Sequence, residues 1–209
     1  MTETVLIPGG RDVRGTLDAA GGGTNDCSEG DKTSADTVVI ACPPHPQHRG
    51  HRGDDRLVAV SEELNRRGID CLRFDYGSWD EGYGERADTL RAVEWANEQY
   101  DRVALFGFSF GGAMALLAAV EGADVAAVSA LAPAHKLADD LDVVAAFPEI
   151  PVPVQVVYGT RDDVADAERV AARAREFEQS VVALEADHFF VGQHGKVAET
   201  VSDFLTSWL

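Results

Sequence analysis

The sequence predicts an α/β protein built on a doubly wound, mostly parallel sheet, and three observations carry that prediction. Short uninterrupted apolar runs such as TVVIAC (37–42) have the make-up of strands buried on both faces. Between them lie stretches whose apolar residues recur at helical spacing. Glycine and acidic residues punctuate almost every junction. Strands and helices in alternation bury their apolar faces best as a parallel sheet with helices on both sides. Crossovers in such sheets are right-handed, and ligands gather at the carboxyl ends of the strands.

The elements follow in order. Residues 4–7 and 14–19 read as two short strands around a Pro-Gly-Gly turn. The tract GGGTNDCSEGDKTSAD (21–36) has no periodicity and reads as a mobile surface loop. Residues 37–42 form the first parallel strand. Residues 54–67 follow as a helix, with Leu57, Val58, Val60 and Leu64 on one side and a stop at Gly68. IDCLRFDY (69–76) is a strand and 87–100 a helix; RVALFG (102–107) is a strand and 111–120 a helix of small residues. VAAVSALA (125–132) and PVQVVYG (153–159) are strands, 164–177 a helix, SVVALEA (180–186) the last strand and 196–208 the closing helix. No repeat or linker divides the chain, so one domain over 1–209 is expected.

Composition narrows the function classes. The 36 acidic and 18 basic residues give a net charge of −18, and only three of the basic residues are lysines (Lys32, Lys136 and Lys196). Such a chain repels itself at low salt and is a poor partner for nucleic acid or an anionic membrane. The pattern resembles cytoplasmic proteins of salt-accumulating haloarchaea; the alternative is a merely acidic mesophilic protein. No apolar run approaches the ~20 residues of a membrane helix. The start, MTETVLIPGG, lacks the features of a secretory leader, so a soluble cytoplasmic protein is expected. Cys27, Cys42 and Cys71 are odd in number and lack CxxC spacing, which points to neither a disulfide framework nor a zinc site. Cys42 and Cys71 read as small core residues.

Chemistry centres on GFSFGG (107–112), between a strand and a helix. A serine on so sharp a turn is raised above the sheet edge, and its neighbours two before and two after must be nearly free of side chain. Gly107 and Gly111 meet that need. A dinucleotide loop also joins strand to helix, but Ser109 stands where its middle glycine would be. Downstream, YGTRDD puts Asp162 and Asp163 just past a strand, and ALEADHFF puts His188 just past the last one. Ser, Asp and His in that order, each at a strand exit, can converge on one sheet edge. There the histidine can take and return the serine proton while Asp162 fixes its tautomer. Asp163 reads instead as a cap for the helix expected from 164.

The second oxyanion donor belongs in CPPHPQHRG (42–50), after the first parallel strand. Pro43, Pro44 and Pro46 have no N–H to give, which leaves the amides of His45 and Gln47. Gln47, first past the last proline, is the choice, beside the amide of Phe110. His45, His48 and His51 form H-x-x-H-x-x-H, but Pro46 and Gly50 break any shared helical face, so neither a metal nor a cofactor is expected. Arg49, Arg52 and Arg56 read either as captors of a substrate carboxylate or phosphate or, the preferred reading, as a solvated loop.

On these residues the sequence resembles the α/β-hydrolase superfamily over almost its whole length, and most closely the small lid-less members related to dienelactone hydrolases and short-chain esterases. The matching segments are Pro44-His45-Pro46, Phe74-Asp75-Tyr76, Gly107 to Gly111, Gly159 to Asp162 and Asp187 to Phe190. Three departures stand out. The first histidine of the family's His-Pro-His-Pro segment is replaced, with Pro43 standing near it. Gly77-Ser78-Trp79 replaces the usual Arg-Gly, and Ser109 replaces the cysteine of dienelactone hydrolases proper. The resemblance implies an α/β-hydrolase fold without a large lid, since 131–151 is too short for one. It also implies a serine hydrolase that cleaves a small-molecule, ester-like acyl substrate through a covalent intermediate. Trp79, Phe108, Phe189 and Phe190 are candidates for an apolar wall. The rival is a non-catalytic binding protein of the same fold, against which the complete Ser109–His188–Asp162 set argues.

Overall fold

The computed structural model describes residues 2–21 and 36–209; the loop expected over 21–36 lies almost wholly outside the described residues. Strands β1 (Thr2–Ile7), β2 (Val13–Asp18), β3 (Thr37–Cys42), β4 (Asp70–Asp75), β5 (Arg102–Phe108), β6 (Val128–Leu131), β7 (Val154–Gly159) and β8 (Ser180–Leu184) make one eight-stranded sheet. Their spatial order is β1-β2-β4-β3-β5-β6-β7-β8. The N-terminal hairpin pairs antiparallel within itself and with β4, while every pairing from β4 to β8 is parallel.

The parallel strands behave as their composition dictates. Val38 to Cys42 are fully buried, as are Ala104, Leu105 and Phe106 on β5, because helices cover both faces. Helices α1 (Asp55–Arg66) and α6 (His194–Thr206) pack together, and α2 (Tyr83–Asn97) packs against α3 (Phe110–Val120). Helix α3 is buried almost all round because FGGAMALLAAV carries no polar face. A short helix α4 (Val143–Ala146) and helix α5 (Ala167–Glu176) complete the set. No helix among the described residues is long and apolar enough to cross a membrane.

Each expected helix start shifts from the sequence reading by one to four residues, and three of the shifts bear on the site. Helix α2 begins at Tyr83 rather than 87, because the buried Glu85 carboxylate accepts from the amides of Asp80 (2.9 Å) and Gly82 (2.8 Å). Helix α3 begins at Phe110, directly after Ser109. Helix α5 begins at Ala167 rather than 164, with Asp166 in the left-handed region before it. Asp163 therefore caps nothing. It is exposed, and the amides of Val164 and Ala165 are taken by Asp162 instead, at 2.9 and 3.1 Å.

Candidate active site

The turn from β5 into α3 is as tight as its glycines suggest. Ser109 has φ 56° and ψ −115°, a strained backbone that persists only where surrounding structure enforces it. A Cβ on Gly107 would lie 2.2 Å from the Gly111 carbonyl oxygen, and one on Gly111 would lie 2.1 Å from that of Cys42. Any side chain at either position would push the turn off the sheet edge. The strain is held by Ser109's own backbone, whose N–H donates to Leu131 (2.8 Å) and whose carbonyl accepts from Ala113 (3.1 Å).

Two further strand exits bring their side chains to the same edge. Gly159 ends β7 so close to the chain leaving β8 that a Cβ there would sit 2.5 Å from the Ala186 carbonyl oxygen. The Arg161 amide donates to that oxygen at 3.0 Å, which locks the Asp162 loop to the His188 loop. As a result Asp162 Oδ2 lies 2.8 Å from His188 Nδ1, and His188 Nε2 lies 3.0 Å from Ser109 Oγ. Both polar side chains are nearly sealed from water, at 2% exposed for Asp162 and 5% for His188. In that surrounding their hydrogen bonds are stronger than in solvent. The other carboxylate oxygen, Oδ1, holds its own loop through Val164 and Ala165.

The segment after β3 is organised differently from the sequence expectation. Pro46 opens a 3-10 turn (Pro46–His48), and His45 stands before it as the cap. The Gln47 amide donates to His45 Nδ1 at 3.2 Å, and Gln47 is exposed. The N–H of Gln47, the donor expected from the sequence, is thereby engaged by the cap. The amide of His45 makes no hydrogen bond among the described residues. The His45 ring packs against Trp79 (4.5 Å), His48 (4.5 Å) and Phe110 (4.9 Å). Its pKa is lowered by burial and by the neighbouring His48, which keeps the ring neutral and Nδ1 free to accept.

Of the nearby arginines, Arg49 is exposed, while Arg52 and Arg56 are occupied. Arg52 pairs with Asp75. Arg56 binds the Asp54 carboxylate, donates to the Phe189 carbonyl at 3.0 Å, and lies 4.4 Å from the Phe108 ring centre. Of the expected apolar wall, Phe108 and Phe190 are core residues, whereas half-buried Trp79 and exposed Phe189 face the site's surroundings. A cleft of about 350 Å³ opens beside Phe110, lined by His45, Trp79, Glu81, Tyr83, Leu137 and Ala138. A larger one, of about 710 Å³, is lined by the ion-paired Lys136, Arg169 and Arg173; neither cleft is lined by Ser109, Asp162 or His188, and the smaller one reaches the site through His45 and Trp79, which pack on Phe110.

Sequence reasoning missed an anchor beneath Trp79. Arg11, from the turn between β1 and β2, reaches the fully buried Asp88 (2.8 Å) and Glu85 (3.7 Å), and donates to the Ser78 carbonyl at 2.5 Å. A Cβ on Gly84 would meet its guanidinium at 2.4 Å, and one on Gly77 would meet its backbone oxygen at 2.3 Å. Gly77, Gly84, Glu85 and Asp88 were visible in the sequence, but nothing local linked them to an arginine so far away along the chain.

Strand order, lid-less exit loops and a serine-bearing turn define the α/β-hydrolase class of fold. An α-β serine hydrolase homologue from Coxiella burnetii superposes with a TM-score of 0.80 at 24% identity, covering 97% of each chain. A lid-less serine hydrolase from Xanthomonas campestris gives 0.75 at 23% identity, covering 98% of this chain and 95% of its own. Dienelactone hydrolase from Anabaena variabilis gives 0.76 at 22% identity, covering 100% of this chain and 98% of its own. No curated protein sequence matches the chain. The dienelactone hydrolase family profile matches residues 76–202, and the chain belongs to that family. The matched span contains the serine turn, Asp162 and His188.

Proposed function

We propose that this protein is a serine-dependent acyl hydrolase acting on small ester-like substrates. The observation that carries the proposal is the unbroken line from Asp162 Oδ2 through His188 to Ser109 Oγ, at 2.8 and 3.0 Å. Ser109 Oγ attacks the substrate carbonyl carbon, the carbonyl electron pair moves onto oxygen, and the hydroxyl proton passes to His188 Nε2. The oxyanion takes hydrogen bonds from the Phe110 amide, at the positive end of α3, and from the His45 amide in place of Gln47. Collapse re-forms the carbonyl and breaks the bond to the leaving group, which departs with the proton held on His188. Water then attacks the acyl-serine, its proton goes to His188 Nε2, and Ser109 leaves with that proton as the free acid is released.

The cleft lined by His45, Trp79, Tyr83 and Leu137 adjoins Phe110 and suits the acyl group, and its volume of about 350 Å³ favours a small one. Among the described residues no cysteine is placed to serve as nucleophile, since Cys42 and Cys71 are wholly buried and their thiols are pushed up to about 12, mainly by burial. The test is covalent labelling by a fluorophosphonate probe together with turnover of p-nitrophenyl acetate and butyrate. Labelling that maps to Ser109, and its loss with turnover in Ser109→Ala, is the expected outcome. A folded wild-type protein that neither labels nor turns over any ester would establish the rival, a binding protein of this fold.

A further inference from the structure

Three apolar side chains on the loops that carry Asp162 and His188 lie open to water. Phe189 is 51% exposed, Val191 73% and Val164 61%. Large apolar residues scattered singly on a surface need no explanation, but a group of them at a reactive centre does. Their exposure is built in. Phe190, between the outer two, has φ 53° and is wholly buried, so its ring anchors the loop while Phe189 and Val191 are left outside. The Phe189 backbone is tied at both ends: its N–H donates to Asp187 Oδ1 at 3.0 Å, and its carbonyl accepts from Arg56 at 3.0 Å. Arg56 is itself fixed by Asp54 and by the Phe108 ring. The Phe189 ring lies edge-on to the His188 ring, their centres 5.3 Å apart. Val164 belongs to the loop on the other side, its amide bound by Asp162.

From this arrangement we infer that Phe189, Val191 and Val164 form a leaving-group subsite for an apolar alcohol, one with an aryl or medium-length alkyl chain. The inference rests on the serine-hydrolase reading above. In that reaction the tetrahedral carbon carries three groups besides Ser109 Oγ, and each has one place to go. The oxyanion belongs between the Phe110 and His45 amides. The departing oxygen must come within hydrogen-bond reach of His188 Nε2, because that nitrogen returns the proton when the carbon–oxygen bond breaks. The acyl group takes the remaining direction, toward Trp79 and Tyr83. A chain on the departing oxygen therefore leaves past the His188 ring, and the first surface beside that ring is Phe189. The imidazole packs on the buried Phe108 (5.2 Å) and on Phe189 (5.3 Å), and of the two only Phe189 is open to a ligand.

The test holds the acyl group constant and varies the alcohol, comparing kcat/KM for methyl, hexyl and phenyl acetates in wild type, Phe189→Ser, Phe189→Leu and Val191→Ser. Wild type is expected to favour the hexyl and phenyl esters over methyl. Phe189→Ser is expected to reduce that preference by roughly tenfold, the factor that about half a buried apolar side chain supplies. Phe189→Leu, which keeps an apolar surface, is expected to recover most of it. Should Phe189→Ser fail to fold, Val191→Ser carries the same expectation with a smaller loss. Unchanged alcohol preference in proteins that still label with the fluorophosphonate overturns the subsite and leaves the hydrolase reading standing. Absence of labelling in wild type overturns both. A wild-type dimer that Phe189→Ser converts to monomer with no change in alcohol preference assigns the surface to self-association and also overturns the subsite.

Discussion

Replacing Asp162 by Asn isolates the part of this site with two jobs. One carboxylate oxygen orients His188, and the other accepts from Val164 and Ala165 at 2.9 and 3.1 Å. Asn retains one acceptor oxygen and presents an amide NH₂ in place of the other, so it must choose. With the oxygen toward His188, the NH₂ faces two backbone donors, and each amide left unsatisfied there costs about 1–3 kcal/mol. With the oxygen toward the backbone, both loop bonds survive and the NH₂ faces His188 Nδ1. The second arrangement wins by one hydrogen bond and one fewer donor clash. It forces His188 to carry its proton on Nε2, where it opposes the Ser109 hydroxyl and cannot take its proton. The expected fall in kcat is about 10⁴-fold with KM little changed, the size seen when a triad histidine is held in the wrong tautomer. Charge-assisted bonds become neutral ones at the cost of about 1–2 kcal/mol. For a domain of this size that lowers Tm by roughly 2–8 °C. The assay is p-nitrophenyl acetate turnover beside thermal melting, with Asp163→Asn as the companion. Asp163 makes no hydrogen bond or ion pair among the described residues and is exposed, so its variant should match wild type in both. An active Asp162→Asn beside a dead Asp163→Asn would refute the reasoning outright.

Other outcomes follow from the same structure. In the native protein, iodoacetamide should modify neither Cys42 nor Cys71 and leave turnover intact; peptide mapping that finds either one alkylated before unfolding contradicts their burial. Burial pushes the Asp18 carboxyl up, but hydrogen bonds from Arg73 and Ser61 and the Arg73 charge outweigh it and hold the pKa below the usual value. Its contribution is thus present above the unfolded carboxylate pKa of about 4 and lost as pH falls through the lower folded value, so Asp18→Asn should flatten the acid limb of the Tm–pH curve. An acid limb unchanged in that variant counts against the pairing. With a net charge of −18 the folded chain should gain stability from screening, so Tm and activity should rise from low to molar KCl. A Tm that is flat or falls over that range removes the salt-adapted reading of the composition.

What the sequence made legible divides along a physical line. Residues whose role is set by local backbone geometry could be read directly. Gly107 and Gly111 announce a turn with no room for a Cβ, whereas the close passage at Gly159 that brings the Asp162 loop against the His188 loop shows only in the fold. The strands β3 and β5 were legible because a strand buried on both faces has no polar side to obscure the pattern. Roles that depend on which of several equivalent donors is left free could not be read. Gln47 and His45 both offer an amide, and the choice turned on a side-chain cap, His45 Nδ1 accepting from Gln47, that exists only once the 3-10 turn has formed. The expected cap at Asp163 could not be checked from sequence for the same reason: Asp162 Oδ1 takes the Val164 and Ala165 amides within the folded loop, and α5 starts only at Ala167, after Asp166.

The anchor under Trp79 shows how a departure from the family pattern is absorbed. Where relatives carry Arg-Gly after the Phe-Asp-Tyr segment, this chain has Gly77-Ser78-Trp79. Two acids remain behind it, Glu85 and Asp88, both wholly buried, and buried carboxylates without a cation are strongly destabilising. Arg91 pairs with Asp88 at 3.1 Å from the same helix, and Arg11 adds a second cation from the N-terminal hairpin, filling the space that Gly77 and Gly84 leave and binding Ser78 on the way. The hairpin, remote from Ser109 in sequence, is thereby coupled to the loop that carries Trp79. Trp79 in turn packs on His45 (4.5 Å) and Phe110 (5.8 Å), the residues whose amides are proposed to hold the oxyanion. Removing this second cation alone, as in Arg11→Met, should therefore act in two places. Stability should fall by about 1–3 kcal/mol, less than the loss on stranding a fully buried charge, because Arg91 still pairs with Asp88 at 3.1 Å. Selectivity among acyl chain lengths should loosen as well, because the Trp79 wall loses its support. Arg67→Met breaks exposed and half-exposed pairs with Glu63 and Asp203 far from the site, and supplies the comparison. If the Arg11 variant, measured well below its own Tm, keeps the wild-type acyl-length profile, the hairpin stabilises the fold without shaping the site, and the coupling through Trp79 is wrong.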